Sequence, residues 1–190
     1  MNTKALILTS AVVICGMAQG DSPALVQGPR YAGDKMLLPE NYREWIYLTS
    51  GFDMSYAAVA LPGHHMFDNV FVEPGAYQAF LKTGTWPDKT VIVLEARGAE
   101  GKGSINQHGN YQGADVMGRE VHVKDTVRFK GGWAFFSFEG AKESDMIPMK
   151  EDCYSCHAAH AAVDTTFVQF YPTLLPIARD KGTLSNTYKP

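Results

Sequence analysis

The chain has 190 residues, 45% of them apolar, 12% aromatic and 19% charged, with a formal net charge of −3. That apolar share supports a real core and excludes wholesale disorder, and the mild acidity argues against nucleic acid as a partner. Three cysteines are too few for a disulfide-dense scaffold, so their positions carry the information.

The N-terminus places Lys4 before an uncharged apolar run, Ala5–Met17, which ends in Ala18-Gln19-Gly20. A basic start, a short apolar segment and a small-x-small end predict a secretory signal peptide over residues 1–20. The run is too short for a membrane span, which needs ~20 residues. Lipidation at Cys15 is disfavoured because Ile14 stands where such a site needs a small residue. The expected mature chain, residues 21–190, is read as one domain carrying only Cys153 and Cys156.

Residues 21–38 read as an extended lead-in, and Pro39–Trp45 as a short helix. A short strand is expected over Ile46–Leu48. A second covers Phe67–Glu73, with Val70 and Val72 on one face and Phe67, Asn69 and Phe71 on the other. Pro74 opens a helix to about Lys82, stopped by Gly84 and Pro87. Thr90–Arg97 is a β-branched strand. Residues 98–113 hold five glycines and read as a hairpin connection, with Glu120–Lys124 as the return strand and Val121 and Val123 on its apolar face. Trp133–Phe138 is an aromatic strand. The connections are too short for parallel crossovers, so the fold class is α+β, mainly β: a curved antiparallel sheet with two to three helices.

Cys153-Tyr154-Ser155-Cys156-His157 reads as a c-type haem attachment site, carried on one of those helices. Each thiol forms a thioether with one haem vinyl, and His157 becomes the proximal iron ligand. A structural zinc site needs a second ligand pair that the mature chain lacks, and a disulfide across two residues would be strained. One motif implies one covalently bound haem c with its iron.

A single haem motif near the end of an exported, β-rich chain resembles the cytochrome P-460 / cytochrome c′-beta family. The resemblance rests on Tyr42-Arg43-Glu44-Trp45, Val70-Phe71-Val72-Glu73-Pro74, Thr85-Trp86-Pro87-Asp88-Lys89-Thr90-Val91-Ile92-Val93, Val123-Lys124-Asp125, Gly132-Trp133 and the cysteine box. It implies a periplasmic, antiparallel-β, homodimeric protein around one haem. Its P-460 members oxidise hydroxylamine through a lysine cross-linked to the haem, and its c′-beta members bind nitric oxide or other diatomics. The strand matching that lysine is Thr90–Arg97, where Leu94 is the matching residue and Glu95 its neighbour, which favours c′-beta. Lys124 is the alternative lysine, although Asp125 beside it suggests a surface pair.

The family places a distal phenylalanine near Gly63-His64-His65-Met66-Phe67. Met66 as a thioether ligand opposite His157 would close the iron and make an electron carrier with a redox partner protein. Met66 and Phe67 as an apolar lid would instead leave it open to gases. His64 and His65 are rival ligands, whereas Met54 and Met117 are less well placed. His160, His108 and His122 read as ordinary surface or strand histidines, and Glu95 and Glu120 as strand carboxylates able to flank the pocket. The sequence favours electron transfer with a His/Met haem, ahead of diatomic binding and of hydroxylamine oxidation.

Overall fold

Gly33, at φ +61°, turns the chain between two short strands, β1 (Tyr31–Ala32) and β2 (Lys35–Leu37), so part of the expected lead-in is a hairpin. This computed structural model describes residues 27–55 and 65–189. The expected signal peptide and His64 lie outside the described residues. The helix expected before Trp45 is a single 3-10 turn, Tyr42–Glu44.

The main sheet has five antiparallel strands in sequential order: β3 (Ile46–Phe52), β4 (Met66–Val72), β5 (Val91–Glu100), β6 (Tyr111–Lys124) and β7 (Trp133–Phe138). A second sheet joins β1 and β2 to β8 (Glu143–Ser144). Among the described residues the fold is thus mainly β with three α-helices: α1 (Pro74–Thr83), α2 (Asp152–His160) and α3 (Leu175–Lys181). Among the described residues, no helix is long and apolar enough to cross a membrane.

Strands β5 and β6 run further than their side chains suggest. Ala99 pairs with Gln112 and Glu100 with Tyr111, so part of the glycine-rich stretch is ladder rather than loop. Backbone hydrogen bonds carry this extension, and register shifts near Arg97 absorb its irregularity. Strand β3 likewise outruns Leu48 because every residue from Thr49 to Phe52 has a partner on β4.

Alternation divides the core in two. On one face Val70, Val72, Ile92 and Trp133 of the strands pack with Phe80, Trp86, Val163 and Leu174 from the helices and connections. On the other, Val91, Val93, Val121, Val123 and Phe136 pack against Met36, Tyr42 and Trp45 from the N-terminal segment. Helix α1 locks to the first face from its own cap: the Glu73 carboxylate accepts from the Gly75 and Ala76 amides at 3.0 and 2.9 Å, and Pro74 supplies the first turn. Gly84 ends it at φ +74°, where a Cβ would lie 2.7 Å from Lys181 of α3.

Candidate haem site

Helix α2 brings Cys153, Cys156 and His157 to one side, because residues three and four apart share a helical face. None of its residues is buried, so little of its own apolar surface holds it to the sheet. Tyr154 provides one anchor: its hydroxyl donates to the Ile147 carbonyl at 2.9 Å, accepts from the Phe135 amide at 3.2 Å, and its ring meets Phe135 edge-on. Both thiols are free and half-buried. Burial, then the charges of Glu120 and Glu151, push the Cys153 thiol up, against opposing backbone hydrogen bonds.

His157 is walled by Phe167, Phe135 and His122, with ring centroids 4.1, 4.6 and 5.2 Å away. Burial holds its pKa below the usual imidazole value, which favours the neutral ring that binds metals. Its Nδ1 bonds the Thr165 carbonyl at 2.7 Å, leaving Nε2 as the metal-binding nitrogen. The Thr165 hydroxyl in turn lies 3.2 Å from Nε2 of His122. The loop is braced on both flanks. Lys124 pairs with Asp164 at 3.0 Å, and the Trp86 indole donates to the Thr166 hydroxyl at 2.7 Å.

The face beside this cluster carries small residues and two carboxylates. Leu94 sits opposite Glu120 and Val70, and Ala96 opposite Gly118 and Asp68. A Cβ on Gly118 would meet nothing within 4 Å. Glu120 is open to solvent yet flanked by protein; that crowding, then the charge of Asp68, raises its carboxyl above the usual range. Crowding, then Asp53, raises Asp68 in the same direction.

The two carboxylates considered from sequence therefore separate. Glu120 shares the His122 face of β6, whereas Glu95 is buried on the other side of the sheet with Tyr42, Arg43 and Arg97. Lys124 does not pair with Asp125. It is committed to Asp164 and to the Trp86 carbonyl at 2.8 Å, and Asp125 pairs with Lys89 instead.

The structure does not bring Met66 or Phe67 to this cluster. Met66 pairs with Gly98, whereas Val72 is the β4 residue whose rung leads through Ile92 to His122. Six residues of strand place Met66 about 20 Å along the sheet from that rung. Phe67 points to the opposite face, against Phe52 at 4.8 Å. His65 pairs with Asp53 at 2.5 Å and stacks on Phe52. His160 and His108 are exposed. His122 and Thr165 are the site residues that sequence reading passes over. Alternation along Glu120–Lys124 puts His122 on the polar face, but nothing local marks Thr165.

Two thiols and a neutral imidazole on one helical face, beside a sheet face carrying Leu94, Ala96 and Gly118, form a donor set that fits a haem held by thioethers and His157. No curated protein matches the chain. The family model for cytochrome P460 matches residues 39–168, well over half of the sequence. The chain is a haem protein belonging to the cytochrome P460 family.

Proposed function

We propose that the chain is an exported mono-haem c-type protein that binds nitric oxide or another diatomic gas at its haem iron. Cys153 and Cys156 hold the haem as thioethers, and His157 ligates through Nε2. A bound haem would supply an iron centre able to take a small ligand. The observation that carries the reading is the separation of Met66 from the His122–His157 rung, which weighs against a thioether closing the iron and so against the electron-carrier reading. Leu94, on the strand where the P-460 enzymes carry their cross-linking lysine, argues in the same way against hydroxylamine oxidation.

The chain's own residues have three tasks in this reading. Leu94, Ala96 and Gly118 leave the sheet face beside His157 with little steric bulk. Phe135 and Phe167 exclude water from the His157 ring. Glu120, its carboxyl raised by crowding and by Asp68, holds a proton more readily than a free glutamate and offers a polar group on that face.

Absorption spectra of the holoprotein, oxidised, reduced and with nitric oxide, test the proposal. High-spin spectra in both oxidation states with ready nitric oxide uptake are expected. A near-infrared sulfur-to-iron band abolished by Met66→Ala would refute it and restore electron transfer. An intact mass showing more than chain plus thioether-linked haem, with a P-460 chromophore, would restore the oxidase.

A further inference from the structure

We infer that His122 is a positioning residue for the iron ligand: through the Thr165 hydroxyl it holds the carbonyl that fixes the His157 ring. This rests on His157 as the proximal ligand. Helix α2 offers that imidazole little orientation of its own, since none of its residues is buried and it ends three residues later at His160. Phe135 and Phe167 confine the ring but have no polar atom to orient it. The directional contact is Nδ1 to the Thr165 carbonyl, at 2.7 Å.

Thr165 follows Asp164, which adopts the left-handed conformation at φ +52°, in a loop that runs outside regular structure. Side chains from outside this loop reach three successive residues of it: Lys124 pairs with Asp164, His122 with Thr165, and Trp86 with Thr166. Of the three anchoring residues, His122 alone also has a ring contact with His157, at 5.2 Å and 77°. His122 is itself well fixed. It is buried on β6, flanked by two hydrogen-bonded strands, stacks on Phe135 at 4.0 Å and 12°, and meets Trp133 at 4.4 Å.

A buried imidazole is a costly packing element when an apolar ring would fill the same space. Its polar contact with Thr165 supplies a reason for the histidine. Holding the Thr165 carbonyl in line with Nδ1–H keeps electron density on Nε2 and strengthens the bond to iron. The rigidity of the sheet is thereby passed to the metal ligand across two hydrogen bonds.

The test uses the reduced holoprotein, reading the iron–imidazole stretching band by resonance Raman and the midpoint potential by redox titration. His122→Phe and Thr165→Val each remove the bond while keeping shape, and Thr165→Ser keeps it. Expected is a shift of the band to lower frequency and a change of potential in the first two. Their double variant should move no further than either alone, and Thr165→Ser should resemble the parent. Unchanged band and potential in both single variants, with altered stability alone, would reduce His122 to packing and overturn the inference. A Thr165→Ser variant displaced as far as Thr165→Val would do the same. Thr165→Val lies outside the sheet, so it reads the contact even if His122→Phe fails to fold. If His157→Gly leaves the parental band and potential in place, the proximal assignment itself fails, and the inference with it.

Discussion

Replacing Glu95 by glutamine separates a structural carboxylate from one that serves the haem. Glu95 is buried and accepts from Nε of Arg97 and from Arg43, each at 2.5 Å, and from the Tyr42 hydroxyl. Tyr42 also accepts from Arg119 at 2.9 Å. Arg97 has a side chain 13% exposed, so losing its charge-assisted bond and leaving the guanidinium without a counter-charge costs about 1.5–3 kcal/mol. Arg43 is 51% exposed, and solvent screening limits its share to at most about 1 kcal/mol. The variant should therefore lose about 2–4 kcal/mol. At about 2–4 °C per kcal/mol for a chain of this size, the melting temperature falls by roughly 4–16 °C. Urea unfolding of the holoprotein measures the loss, and absorption spectra with and without nitric oxide should match the parent, because Glu95 faces away from His157. A variant of parental stability with an altered haem spectrum would refute this placement.

Asp68 and Glu120 make the opposite prediction. Their carboxyls are raised in the folded protein, so folding favours their protonated forms. Stability from this pair is greatest below the unfolded carboxylate range and falls as pH climbs through and above it. Asp68→Asn should flatten that fall above about pH 4, read as urea midpoints. An unchanged pH slope would show that the two charges do not meet. Trp86→Phe removes the indole bond to Thr166 and some buried volume, at about 1 kcal/mol for the bond and about 1–2 kcal/mol for the volume. Amide exchange at Val163 and Thr166 should accelerate; parental protection there would mean that Trp86 does not brace the loop.

Local chemistry was enough for the helix from Pro74, the strand Trp133–Phe138 and a helix carrying the cysteine–histidine box, because caps, aromatic runs and helical spacing act over a few residues. The faces of Phe67–Glu73 and Glu120–Lys124 were legible from alternation alone. Strand length was not. Between 98 and 113 the ladder depends on the partner strand's backbone, which glycine side chains do not advertise.

The spacing that puts Cys153, Cys156 and His157 on one face of α2 was thus written in the sequence, and the surroundings of the His157 ring were not. Four residues in a row make Met66 and Phe67 look adjacent to His64 and His65. In the sheet, alternation turns Phe67 to the far face, and six rungs' worth of strand carry Met66 away from His122. Conversely, Glu120, His122, His157 and Thr165 are scattered along the chain and converge because β6, α2 and the loop after it fold onto one face. Which groups a chain contains, and which anchor a cofactor by spacing, is a one-dimensional matter; which groups face that cofactor is settled by strand register and by the face each side chain takes.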